Sequence, residues 1–140
     1  MPHLHATPAA GKAFYLNDQQ GPVVMLNLLK FRAVADYGAS PALAPKSNIT
    51  GEAAYTQYAN HILPLLAEAG SEVLFYGKAS AYLIGPKAEG WDAVLLVRHA
   101  SKAAFLAFAN DPTYQVGAGH RTAALADSRL LPITEQSLYG

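Results

Sequence analysis

The sequence predicts an α+β domain with an antiparallel sheet, and three observations support this fold class. After a leading helix, the segments follow the order strand, helix, strand, strand, helix, strand. That order is the split βαβ arrangement of the ferredoxin-like fold, βαββαβ. The strands are apolar on both faces, and 51% of the 140 residues are hydrophobic, which predicts one globular domain with a core of its own.

Composition excludes several function classes. The chain has no cysteine, so it has neither a disulfide framework nor a cysteine-ligated zinc site. Ten basic and ten acidic residues give no net charge to attract nucleic acid. No apolar run approaches the length of about 18 residues that a membrane span needs, and the amino terminus lacks the pattern of a signal peptide. We therefore expect a cytoplasmic protein without nucleic-acid or membrane partners.

The first half of the chain predicts two helices and one strand. Thr7 and Pro8 are a typical helix start, and this extra N-terminal helix runs to about Leu16. An apolar run over residues 23–31, bounded by glycine and proline, predicts the first strand. Residues 33–48 lack periodicity and predict a long loop, whereas apolar spacing over residues 50–69 predicts an amphipathic helix.

The second half predicts the rest of the sheet. Residues 72–84 are expected to form the second strand, with a bulge or bend at Gly77, and residues 91–98 the third strand. Helices are predicted from Ser101 and over residues 111–125, and a short last strand over residues 129–133. The expected organisation is a single domain with its core at about residues 20–133 and tails at residues 1–7 and 134–140.

Strand patterning also predicts an oligomer. Met25 and Leu29 lie on one side of the first strand, while Leu26 and Leu28 lie on the other. The helices of this fold cover one face only, so an identical sheet from a second subunit is expected to cover the other, in a homodimer. Alternatively, the leading helix, the long loop and the C-terminal segment cover that face in a monomer.

Several segments together resemble a known family. They are Pro-Val-Val-Met-Leu-Asn-Leu-Leu-Lys-Phe-Arg at residues 22–32, Glu-Val-Leu-Phe-Tyr-Gly-Lys-Ala at 72–79, and the segments at residues 91–98, 111–115 and 123–132. Over about residues 20–133 the chain resembles a bacterial family of unknown function in the dimeric α/β-barrel superfamily. The resemblance implies two ferredoxin-like subunits whose sheets form a shared barrel, with a pocket in each protomer. It implies no particular reaction.

Asn27 is the most informative polar residue because it lies in the middle of an apolar strand. An unpaired amide there would cost about 1–3 kcal/mol, so its side chain must have partners. One interpretation is that the amide points into the pocket and orients a ligand carbonyl or an oxyanion. The other is a structural hydrogen bond to nearby backbone.

Four further residues are candidates for a ligand site. Tyr58 and His61 lie three residues apart on one helix face and could handle protons, although such residues are more often part of the core. Tyr76 precedes a glycine that permits close approach of a ligand or simply bends the strand. Arg121 could bind a carboxylate in bidentate fashion, or pair with Asp127 or Asp111. We expect His99 to be exposed.

Cofactor motifs are missing from the sequence. The chain has no phosphate-binding glycine loop and no dinucleotide fingerprint, and His3 and His5 alone do not close a metal site. Haem ligation by a histidine has no supporting motif. We therefore predict a homodimer without metal or cofactor that binds or transforms a small organic molecule in an apolar barrel pocket. The alternative is a non-catalytic structural or regulatory dimerisation module. Whether the protein is an enzyme stays open.

Overall fold

A computed structural model describes residues 2–139 and contains one four-stranded antiparallel sheet in the order β2-β3-β1-β4. The strand order and the helix crossovers are those of the ferredoxin-like fold, so the predicted fold class is confirmed. The elements, in chain order, are α1 (Pro8–Leu16), β1 (Val23–Phe31), a 3-10 turn (Pro41–Leu43), α2 (Gly51–Glu68), β2 (Glu72–Lys78), β3 (Ala93–His99), α3 (Lys102–Ala109), α4 (Pro112–Ala124) and β4 (Leu125–Ile133).

Each helix begins at the polar residue that its sequence suggests. The side chains of Thr7, Thr50 and Ser101 each accept a hydrogen bond from the backbone N–H three residues further on. Asp111 does the same for the N–H two residues on, and a proline follows it at the first position of α4. These bonds satisfy amides that have no partner within the helix, which fixes where each helix starts.

Strand β1 lies in the centre of the sheet and defines its two faces. Asn27 is opposite Leu95 on β3 and Leu130 on β4, and residues opposite each other project from the same face. Burial alternates along β1 as far as Leu29 and along all of β3. The buried side chains project toward the helices, and we call this the helix-side face. The remaining side chains project from the other side of the sheet, which we call the outer face.

The helix-side core forms where α2 and α4 pack over the sheet. Its largest fully buried side chains are Leu29, Leu125 and Val23. Close packing of the two helices depends on Gly117, because a Cβ atom at that position would collide with the ring of His61. This contact explains why a glycine is tolerated inside α4.

Three strands differ from their predicted limits, and β3, which spans Ala93–His99 in place of residues 91–98, differs least. Strand β2 ends at Lys78 instead of residue 84, and the following Leu83 and Ile84 are almost fully exposed. Its irregularity lies between Val73 and Phe75, not at Gly77. Strand β4 begins at Leu125, four residues before the predicted start, because its polar residues still pair with the end of β1. The first half of β4 was not predicted because it contains polar residues, which are not typical of a buried strand.

In the part of the chain that the structure describes, no helix is both long enough and apolar enough to cross a membrane.

Candidate functional site

A cavity of about 720 Å³ lies between the helix-side face of the sheet and the helices. Its floor consists of apolar side chains from β1, β3 and β4, including Met25, Leu95 and Leu130. Aromatic side chains from all four helices face it: Phe14, Tyr55, Tyr58, Phe105, Phe108 and Tyr114. A cavity of this size and composition, with few polar groups, is typical of a small-molecule site.

The amino-terminal segment forms one wall of the cavity. The backbone N–H of His3 donates to Asp127 Oδ1 at 2.8 Å, and Ser128 Oγ donates to the carbonyl of His3 at 2.5 Å. Helix α1 continues this wall, and its Phe14 ring contacts Phe105 edge-on with centroids 5.7 Å apart. Residues 3–5 are thus part of the wall instead of the tail expected from sequence. The loop at residues 33–48 does not line this cavity.

Asn27 is buried and lines the cavity. Its Nδ2 donates to the carbonyl oxygens of Met25 at 3.3 Å and Leu95 at 3.2 Å. Two carbonyl neighbours fix the orientation of the amide, because an amide oxygen could not bond to either. Both N–H groups are therefore occupied, and Oδ1 accepts no hydrogen bond from residues 2–139. The cavity thus gains an acceptor here, not the donor that one interpretation of the sequence required.

Tyr58 and Tyr114 form a hydroxyl pair beside the cavity, with their oxygens 2.9 Å apart. Burial raises the pKa of Tyr58 well above its ordinary value, and the neighbouring Tyr114 raises it further. The Tyr58 hydroxyl therefore stays protonated at neutral pH. Since one hydroxyl donates to the other, the accepting hydroxyl keeps its own hydrogen, and the pair can donate one hydrogen bond to a ligand.

Arg121 supplies a positive charge to the same cavity. Its Nη1 donates to the carbonyl of Leu4 at 2.8 Å, and its Nη2 donates to Ser128 Oγ at 3.4 Å. Among residues 2–139, ion pairs occur only between Arg129 and the acids Asp127 and Glu89. Arg121 therefore pairs with neither acid considered from sequence. A guanidinium has five N–H donors, so several remain for a ligand.

His99 is a polar group that the sequence analysis placed on the surface, and this prediction was wrong. The side chain is only 2% exposed, contacts the rings of Phe105 and Phe108, and lines the cavity. Its Nδ1 is 2.7 Å from Ser71 Oγ, while Nε2 has no partner among the described residues. Burial lowers the pKa of His99 to about 4, so the ring is neutral at pH 7.

Two candidate residues do not line the cavity. His61 turns toward α4, where Nε2 lies 2.6 Å from the carbonyl oxygen of Thr113; since a carbonyl only accepts, this nitrogen carries the proton. The proposed Tyr58–His61 proton pair therefore does not form. Tyr76 is 53% exposed on the edge strand β2. The structure brings together Asn27, Tyr58 and Arg121 and leaves these two apart.

Histidine and acidic side chains do not assemble into a metal site in the described part of the chain. Nowhere within residues 2–139 do three or more histidine, cysteine, aspartate or glutamate side chains form a group that could hold a metal ion. The polar atoms at the cavity are suited to hydrogen bonding and to pairing with a negative charge.

Comparison with protein families identifies the chain. Residues 43–133 match the model of the family described as Domain of unknown function (DUF1330). The chain belongs to this family. The resemblance to a bacterial family of unknown function is thereby confirmed, and the matched part of the DUF1330 chain includes α2, α4 and most of the sheet.

Solved structures agree with this assignment. The DUF1330 chain is 34% identical to RPA0582, a protein of unknown function from Rhodopseudomonas palustris, over 98% of this chain and 99% of that one, with a TM-score of 0.85. The methylated form of RPA0582 gives 34% identity, a TM-score of 0.87 and coverage of 98% and 97%.

A more distant structure shares the fold alone. It comes from Caulobacter crescentus, is provisionally named an antibiotic biosynthesis monooxygenase, and is 17% identical with a TM-score of 0.50 over 84% of this chain and 92% of that one. No curated protein matches the DUF1330 chain significantly.

Proposed function

We propose that this DUF1330 protein is a homodimer that binds a small organic acid in the cavity of each protomer. The observation that carries the binding proposal is the arrangement of three polar groups on one apolar cavity. These are the acceptor Oδ1 of Asn27, the hydroxyl pair of Tyr58 and Tyr114, and the guanidinium of Arg121. A purely structural core would instead be filled with side chains.

The charge of Arg121 favours an acid as the ligand. The guanidinium lines the same cavity as Tyr55 and Tyr58, and its charge partly offsets the burial that raises the pKa of each tyrosine. A carboxylate at this point would accept from the guanidinium and from the free tyrosine hydrogen. Charge-assisted hydrogen bonds of this kind are about twice as strong as neutral ones. The apolar body of the ligand would then lie against the aliphatic floor.

The binding proposal is tested with a panel of aromatic acids, aliphatic acids, lactones and quinones. Thermal shift identifies compounds that stabilise the folded protein, and calorimetry measures their affinity. We expect acids to bind and their neutral methyl esters to bind more weakly. Tyr114→Phe removes one cavity hydroxyl and should weaken binding by about fivefold to tenfold.

Tyr37→Phe is the matched control. This variant also loses one hydroxyl hydrogen bond, the 2.8 Å bond from Tyr37 to His120 Nδ1, but Tyr37 does not line the cavity. The affinity of the Tyr37→Phe variant for the acids should equal that of the wild type. A panel without any binder, or equal losses in the two variants, would contradict the proposal and favour a dimerisation module without a ligand.

The outer face supports the homodimer. It carries a continuous apolar surface, and Phe75 is 56% and Leu131 is 54% exposed on it. At the centre of this face, Leu26 on β1 is the cross-strand neighbour of Leu96 on β3. Since the helices within residues 2–139 lie on the other side of the sheet, a second copy of the sheet would remove this face from water. Light scattering should give twice the mass of the chain, whereas a monomer in dilute buffer would refute the dimer.

A further inference from the structure

The cavity has two polar ends, and the register of the sheet gives their separation. Ser128, which contacts Arg121, lies opposite Leu29 on β1, whereas His99 lies opposite Val23. Six residues along a strand span roughly 20 Å. Arg121 and His99 therefore lie toward opposite ends of the same cavity.

Apolar side chains separate the two ends. The floor between the two ends consists of Met25, Leu95, Val97 and Pro132. At one end, the rings of Phe105 and Phe108 contact His99. Asn27 Oδ1 lies nearer the Arg121 end, two residues along β1 from Leu29. The space is therefore elongated and apolar in its middle, with a charged end and a neutral polar end.

His99 is held firmly at the neutral end. Ser71, which follows the turn after α2, bonds to Nδ1, and two aromatic rings contact the imidazole. This leaves Nε2 without a partner at the cavity. Water in the cavity can reach Nε2 in the free protein, so a ligand that displaces this water without bonding to Nε2 leaves the atom unpaired, at a cost of about 1–3 kcal/mol.

We propose that the ligand is an elongated carboxylic acid with a hydroxyl group at its far end, bound by Arg121 at the carboxylate and by His99 Nε2 at the hydroxyl. This inference rests on the proposed function. A hydroxyl both donates and accepts, so it fits either tautomer of His99. An alkyl end would leave Nε2 unpaired, and a second carboxylate would meet a neutral ring.

The test compares dodecanoate with ω-hydroxydodecanoate, which differ in the terminal hydroxyl only. Calorimetry measures the affinity of the wild type and of His99→Phe, which keeps an aromatic ring beside Phe105 and removes both ring nitrogens. We expect the hydroxy acid to bind the wild type roughly tenfold more tightly than the plain acid, and this preference to disappear in His99→Phe.

His120→Phe is the matched control, because His120 loses a bond to Tyr37 outside the cavity and should keep the preference. The wild-type preference needs no variant, so poor folding of His99→Phe would not prevent the test. Equal affinity for both acids would overturn the inference while leaving acid binding intact. Binding of neither acid would also overturn it, and the broader panel then decides the proposed function separately.

Discussion

The two faces of the sheet come from the same four strands and have opposite chemistry. On the helix-side face, apolar residues surround a few polar side chains. Asn27 and His99 are two of these polar residues, and both are buried. On the outer face, the central positions of β1 and β3 are uninterrupted apolar residues such as Leu26 and Leu96. The helix-side face and the helices packed over it line the cavity of about 720 Å³.

An apolar surface can serve as an interface with another surface or as a ligand site, and the two faces differ in this respect. A surface that exists to be covered by another surface gains from every apolar side chain and loses from each polar one. A ligand site instead retains polar atoms whose partners arrive with the ligand. The outer face fits the first use and the helix-side face fits the second.

The largest expected effect is the loss of the dimer when a charge is placed on the outer face. Leu26→Asp or Leu96→Asp would bury an unpaired carboxylate in the proposed interface, at a cost of several kcal/mol. We expect monomeric or poorly folded protein, measured by light scattering and by chemical denaturation. Leu83→Asp is the control, because Leu83 is 99% exposed in the loop after β2. Dimers of unchanged mass in the Leu26 and Leu96 variants would exclude this face as the interface.

A smaller effect is expected when the pH is lowered, because protonation of His99 on the helix-side face reduces the stability of the folded protein. In the unfolded chain its pKa returns to an ordinary value near 6.5, whereas burial holds it at about 4 in the folded protein. Between these values the unfolded state binds more protons, so stability falls as pH falls from 6.5 to 4. Because water in the cavity reduces the effect, we expect a loss of about 2 kcal/mol.

Urea denaturation at a series of pH values measures this loss, with His99→Phe as the comparison. The phenylalanine variant lacks the titrating ring, so its stability should fall less between pH 6.5 and 4. Carboxylates and His120, whose pKa is also lowered by burial, affect both proteins alike. Parallel curves for the two proteins would show that His99 is not held neutral.

The fold was predictable because it depends on pattern. Continuous apolar runs in β1 and β3 predicted a sheet, and the caps at Thr50 and Ser101 fixed the helix starts. Where the pattern is weak, the prediction failed. The polar start of β4 resembles a turn, and the apolar Leu83 and Ile84 resemble a strand although they lie in an exposed loop.

The site was predictable only in part, because a cavity depends on contacts between distant segments. Asn27 could be found as a polar residue in an apolar strand, but the direction of its amide depends on Leu95 across the sheet. His99 offered a weak signal, since every second residue of β3 faces the core and position 99 continues that alternation. Its partner Ser71 lies 28 residues away, and no local pattern joins the two.

The smallest expected effect on stability is that of Asn27→Leu, which makes the helix-side face as apolar as the outer one. The substitution removes two hydrogen bonds to backbone carbonyls but buries a larger apolar side chain. These changes oppose each other, so the free energy of unfolding should change by no more than about 1 kcal/mol. Acid binding should nevertheless weaken, because the larger leucine side chain takes up part of the cavity's volume. Denaturation and calorimetry on the same samples measure both quantities. A strongly destabilised variant would instead show that Asn27 serves the sheet, and the distinction between the two faces would then rest on His99 and Arg121 alone.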